Sequence, residues 1–75
     1  MWATFANFDR GIIGKIDFSN GFKERILNWI AIEHSDVWSE LDFHEGGTIG
    51  MTGDEIQISG DNGLLILELI NIKEI

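Results

Sequence analysis

The chain lacks cysteine and proline, and its second half is almost without basic residues. The absence of cysteine excludes a disulfide framework, a thiolate metal site and a thiol nucleophile. Thirteen acidic residues against five basic ones give a net charge of −8. This charge disfavours direct binding to nucleic acid, which needs cations to displace the counterions of phosphates, and also disfavours an anionic membrane surface.

Long apolar segments are missing as well. No apolar run exceeds that of residues 64–67, which ends at Glu68, whereas about 20 apolar residues are needed to cross a bilayer. The first residues have neither the basic region nor the apolar stretch of a signal peptide. We therefore expect a cytoplasmic protein that does not enter a membrane.

Length and turn spacing predict the fold class. The chain has 75 residues, of which 44 % are hydrophobic, as in a small globular domain. Turn residues (Gly, Asn and Asp) separate short apolar segments at intervals of roughly 8–12 residues, which is typical of antiparallel strands. We predict a single domain over residues 1–75 with an α+β fold. Its single helix packs on an antiparallel sheet of five to six strands, in the order β-hairpin, helix, β-meander.

Hydrophobic periodicity places the elements along the chain. Apolar residues recur at helical spacing from Gly21 to about His34, which predicts a helix with Trp29 in the core. Alternating or apolar segments predict strands over 2–8, 12–18, 37–44, 48–52, 55–59 and 64–73. The last segment is apolar on both faces, so we expect it in the middle of the sheet or against another subunit. A C-terminal helix is the alternative for that segment.

Candidate catalytic and metal motifs have simpler explanations. The glycines of residues 46–53 resemble a phosphate loop, but the segment has no lysine or arginine and no helix follows it, so hairpin turns explain them better. His34 and His44 do not form an HExxH motif, and no serine lies in a G-x-S-x-G elbow. The sequence therefore predicts a protein that is not an enzyme and that binds no cofactor or metal. A small enzyme would instead hold one of these histidines against a carboxylate in a pocket.

Acidic residues are concentrated in the later part of the chain. Residues 1–25 carry three acids and four bases, whereas residues 26–75 carry ten acids and one base, Lys73. No lysine or arginine within residues 33–61 can pair with the acids there. Because crowded like charges cost stability, this surplus indicates a surface that binds cationic groups. Ordinary solubility charge is the alternative.

The predicted strand 37–44 contributes an aromatic residue to this surface. If Val37 and Leu41 face the core, Trp38 and its alternate neighbours point outward about 6.8 Å apart. A one-residue slip of register would bury Trp38 instead. An exposed tryptophan beside carboxylates is typical of a protein-binding patch. The predicted partner-binding residues are Trp38, Glu40, Asp42, Glu45, Asp54, Glu55 and Asp61.

In size, acidity, absence of cysteine and lack of catalytic motifs, the chain resembles small acidic inhibitors of phages and mobile elements, such as anti-CRISPR proteins. It also resembles the bacterial immunity proteins that block nuclease toxins. We therefore predict a non-enzymatic, stoichiometric inhibitor of a basic, nucleic-acid-processing protein, without direct contact to nucleic acid. The alternative is a self-assembling structural module that forms a homodimer through the strand 64–72.

Overall fold

The sheet and its helices follow the expected α+β order. A computed structural model describes residues 1–73 of the chain. Its elements, in order, are β1 (Trp2–Asn7), β2 (Ile12–Asp17), α1 (Phe22–Glu33), α2 (Ser35–Leu41), β3 (Thr48–Thr52), β4 (Glu55–Gly60) and β5 (Gly63–Lys73). A 3-10 turn, Phe8–Arg10, joins β1 to β2. The five strands form one antiparallel sheet in the order β2-β1-β5-β4-β3, which confirms the predicted fold class.

The C-terminal strand β5 is the centre of this sheet. It pairs with β4 through residues 63–68 and with β1 through residues 68–73, with a register shift near Leu69. The prediction that the two-faced apolar segment is a central strand is confirmed, and the alternative of a C-terminal helix is wrong. Two buried side chains on one face of β5, Leu65 and Leu67, pack directly against Ile58 and Ile56 of β4.

Both helices lie on one face of the sheet, and the core fills the space between them. Helix α1 buries Ile26, Trp29 and Ile30 at the spacing of one helical face. The indole of Trp29 lies against Gly14 of β2, where an added Cβ would come within 2.5 Å of its ring. Any larger residue at position 14 would displace the indole, so the expected place of Trp29 in the core is confirmed.

Residues 35–41 form a helix, so the predicted strand over 37–44 is wrong, and the fold has two helices rather than one. Val37 and Leu41 are buried, as predicted. Their separation of four residues fits both the two-residue period of a strand and the 3.6-residue period of a helix. The helix ends at Leu41, and the next residue, Asp42, adopts a left-handed conformation with φ 53°. The outward register proposed for Trp38 therefore does not apply.

The connection from β2 to α1 is held by two charged side chains. The Arg25 guanidinium donates hydrogen bonds to the backbone carbonyls of Asp17, Ser19 and Asn20 at 2.8–3.4 Å. Hydrogen bonding from Ser19, through its side chain and its backbone N–H, holds the pKa of the Asp17 carboxyl below its usual value. These contacts fix the point at which the chain leaves the sheet and crosses to its helical layer.

Candidate functional site: the uncovered face of the sheet

Within residues 1–73, no element covers the sheet face opposite the helices. Side chains alternate along each strand, so the residues between the core positions of β1, β2 and β5 point to this face. Three large apolar side chains among them are about half exposed: Trp2 at 42 %, Ile13 at 57 % and Leu64 at 53 %. Antiparallel sheets often present one face to water, but that face is then mainly polar. The apolar part of this face is therefore a candidate interaction surface.

A groove of about 400 Å³ lies at one end of the uncovered face, and we call it the acidic groove. Its lining residues are Ala6, Asn7, Phe8, Asp9, Glu55, Leu64, Ile66 and Glu68. The apolar part includes the ring of Phe8, which is 70 % exposed. Three carboxylates complete the lining, and no basic residue contributes to it. The groove thus combines an apolar surface with negatively charged side chains.

Two of these carboxylates face each other across neighbouring strands. Glu55 of β4 and Glu68 of β5 are direct partners in the antiparallel register. Directly opposed residues have Cβ atoms about 4.5–5.5 Å apart, and like charges at such positions are destabilising. Within residues 1–73, no salt bridge involves Glu55, Glu68 or Asp9. A positively charged ligand would relieve this repulsion, which the isolated fold leaves in place.

The side chain of Asn7 holds the wall of the acidic groove. Its amide nitrogen donates a hydrogen bond to the carbonyl of Ile66 at 2.9 Å. Its amide oxygen accepts a hydrogen bond from the backbone N–H of Arg10 at 3.0 Å and so caps the 3-10 turn. Because one side chain bridges the turn and β5, Phe8 and Asp9 are fixed beside the central strand.

A second groove, of about 270 Å³, lies at the other end of the same face. Trp2, Thr4, Lys15, Asn71 and Lys73 line it, and we call it the basic groove. Thr4 is paired with Lys15 on one side and with Asn71 on the other, and Trp2 is paired with Lys73. Asp17 is paired with Trp2 and also lies on this face, so one end of the uncovered face carries only carboxylates, whereas the other carries two lysines and one carboxylate.

The predicted site residues do not form one continuous surface. The side chain of Trp38 is half-buried and packs against Phe43, with ring centroids 5.0 Å apart. Glu40 is exposed and forms a salt bridge with Arg10, a basic residue from outside the acidic segment. The expectation that the acids of residues 33–61 have no cationic partner is therefore wrong for Glu40.

The remaining predicted acids lie at four places. Asp42 and Asp61 lie together beside His44, and Glu55 lines the acidic groove. Glu45 is exposed in the loop before β3. Asp54 is exposed in the turn before β4, and its carbonyl accepts a hydrogen bond from the backbone N–H of Leu69 at 2.7 Å. Of the predicted site residues, only Glu55 lines the acidic groove.

Asp42, His44 and Asp61 form a surface cluster that could hold a metal ion. Each offers one ligand atom, and these atoms lie within 4.8 Å of one another. The Nε2 atom of His44 is 2.7 Å from a carboxylate oxygen of Asp42 and 4.0 Å from one of Asp61. The backbone N–H of Asp61 donates to the carbonyl of Asp42 at 3.1 Å and brings the two segments together. Neither groove is lined by a histidine.

Sequence reasoning missed most of the acidic groove. Glu68 stands alone within an apolar strand, which was a usable signal, because a carboxylate in a central strand must reach solvent on one face. Its pairing with Glu55 depends on register, which a single sequence does not give. Phe8 and Asp9 belong to a turn whose position over β5 depends on the hydrogen bond from Asn7 to Ile66.

Comparisons with known proteins add no assignment. No protein-family model matches the chain, and no curated protein or solved structure matches it significantly. Among residues 1–73, neither helix has the length and apolarity that crossing a bilayer requires. The uncovered face is therefore the feature of the molecule that bears on function.

Proposed function

We propose that this protein is a non-enzymatic, stoichiometric inhibitor that binds a basic, nucleic-acid-processing protein through the acidic groove. The observation that carries the proposal is the direct opposition of Glu55 and Glu68 in a groove that also contains Asp9 and an exposed phenylalanine. This arrangement costs stability in the free protein. An arginine or lysine from a partner would remove the repulsion, so the cost is recovered on binding.

The chemistry of the groove favours arginine-rich surfaces. A guanidinium group has five N–H donors in one plane and can bridge two carboxylates, while its flat face stacks on an aromatic ring. Glu55 and Glu68 supply the carboxylates, and Phe8 supplies the ring. Clefts that bind nucleic acid present many arginines and lysines for phosphate contacts. The net charge of −8 would speed the approach to such a cleft.

The ionisable groups of the acidic groove also favour binding over catalysis. Its three titratable side chains are all carboxylates, and neither a histidine nor a serine lines it. A hydroxyl nucleophile with an adjacent histidine as its general base is therefore not among the groups that line the groove. A basic segment of the partner would occupy the groove when bound. The partner surface that carries this segment would then be blocked.

Charge reversal in the groove tests this proposal. The chain is immobilised and used to capture proteins from extract of its native host, as wild type and as the double variant Glu55→Lys/Glu68→Lys. We expect the wild type to retain a basic nucleic-acid-processing protein whose activity falls to background at one equivalent. The groove variant should bind that protein at least about 30-fold more weakly, because two close charge pairs become repulsive.

The matched control is Glu24→Lys/Glu33→Lys, which changes the net charge equally at two exposed positions of α1. It should keep most of the affinity at physiological salt, where charges more than about 8 Å apart are largely screened. An equal loss of affinity in both variants would show that the interaction depends only on the net charge of the chain. Retention of binding by the groove variant would overturn the proposal.

A further inference from the structure

We infer that the uncovered face also binds a second copy of this chain, in a face-to-face dimer that places the basic groove of each copy over the acidic groove of the other. The inference goes beyond the proposed function and does not depend on it. Its grounds are the exposed apolar side chains in and beside the two grooves, the opposite charges of the groove linings and the area of the face.

The exposed apolar side chains favour burial of this face against another protein surface over contact with water. Trp2, Ile13, Leu64 and Phe8 are between 42 % and 70 % exposed, and all four belong to the uncovered face or to the turn beside it. On β5, Leu64 and Ile66 lie on this face within the apolar segment whose second face the sequence left unexplained. Large exposed apolar patches mark interaction sites more often than isolated apolar residues do.

The charges of the face are separated along the strands. Lys73 and Glu68 lie on the same strand five residues apart, which is about 15 Å in a strand containing one irregularity. Lys15 lies at the Lys73 end, and Asp9 and Glu55 lie at the Glu68 end. The lysine end also holds Asp17, so it has two basic side chains and one acidic one, and it is attracted to the end that holds three carboxylates.

A two-fold axis suits this arrangement. In a symmetric dimer the same patch of both copies forms the interface. The two-fold axis lies in the plane of the interface, perpendicular to the line that joins the two grooves. Rotation about it exchanges the positions of the grooves, so both basic grooves meet acidic grooves. Other orientations bring Glu55 and Glu68 close to their own copies, and the net charge of −8 on each chain opposes them. Electrostatics thus selects one orientation and disfavours unspecific association.

The area of the uncovered face sets the expected affinity of the dimer. Five strands about 4.8 Å apart and roughly 20 Å long offer about 500 Å² per copy, so the dimer buries on the order of 1,000 Å². This lies at the low end for specific interfaces, so we expect a reversible dimer that forms at high micromolar concentration. Because the dimer covers the acidic groove, a basic partner and a second copy would compete for the same surface.

Complementary charge reversals test the dimer directly. The variants are Lys15→Glu/Lys73→Glu and Glu55→Lys/Glu68→Lys, and sedimentation equilibrium is measured at about 300 µM, a concentration at which contacts of several kcal/mol are populated. We expect the wild type to be dimeric and each variant alone to be monomeric. An equimolar mixture should restore the dimer, because each variant then meets opposite charge, and the pair carries the total charge of two wild-type copies.

The mixture also separates loss of folding from loss of the interface, since unfolded variants would not restore each other. Glu24→Lys/Glu33→Lys on α1 should remain dimeric and serves as the control for net charge. A wild type that is monomeric at this concentration would overturn the inference. So would a dimer that both charge-reversed variants keep, because the contact would then lie elsewhere, and so would a mixture of the two monomeric variants that stays monomeric.

Discussion

Replacing Phe5 with alanine is expected to lower the free energy of unfolding by about 3–5 kcal/mol, as large core truncations do. Phe5 is fully buried in β1, and its ring lies 5.8 Å from that of Phe18, centroid to centroid. Its cross-strand neighbours are Gly14, which has no side chain to fill a void, and Leu69. The lost transfer free energy of the ring and the cost of the cavity that remains therefore both lower the free energy of unfolding.

The effect is large relative to the whole stability. A domain of this length is stable by about 4–11 kcal/mol, so Phe5→Ala should remove a large part of that stability. Urea denaturation followed by tryptophan fluorescence measures it. The control is Phe8→Ala, whose ring is 70 % exposed and which should change stability by less than about 1 kcal/mol. Similar losses for the two variants would contradict the assignment of the core to the helical face.

Alanine at Gly60 is expected to cost about 3 kcal/mol, at the upper end for overpacking, because the obstacle is backbone. A Cβ at this position would overlap the carbonyl oxygen of Leu41 and lie 2.7 Å from the Leu41 carbonyl carbon. No side-chain rotation relieves that contact. The same carbonyl accepts a hydrogen bond from the backbone N–H of Asn62 at 3.1 Å, so the end of α2 would separate from the β4–β5 turn.

Gly50→Ala is the matched control for this prediction. Gly50 also lies in a strand, and a Cβ there would have no atom within 4 Å. Its stability should stay within about 0.5 kcal/mol of wild type or rise slightly, since alanine reduces the entropy of the unfolded chain. Thermal unfolding of both variants provides the comparison. Equal stability of the Gly60 and Gly50 variants would show that α2 does not pack against the turn as described.

Most of the fold could be predicted because its local signals agree with one another. Alternation in β2, the apolar stripe of α1 and the turn glycine before β4 each indicate one structure only. The segment around α2 is different, because Val37 and Leu41 satisfy two periods at once and seven residues offer too few repeats to decide. Helix α2 is fixed by packing of Val37 and Leu41 on the core, which is a tertiary effect.

The candidate site could be predicted only in part. Sequence reasoning emphasised negative charge, and one of its residues, Glu55, lines the acidic groove. It took residues close in sequence as close in space, whereas Glu68 and Asp9 join Glu55 from two distant segments. It also left Glu40 unpaired, because the position of Arg10 beside α2 depends on the sheet order. Pairings of this kind depend on topology, which composition does not encode.

The most direct test of the central claim is a titration of the ¹⁵N-labelled protein with an arginine-rich peptide, followed by amide chemical shifts. If the acidic groove is the binding surface for basic partners, shift changes will concentrate at Phe8, Asp9, Glu55 and residues 64–68. They will be lost in the Glu55→Lys/Glu68→Lys variant. Shift changes concentrated on α1, α2 and the Asp42–Glu45 segment instead would contradict the account.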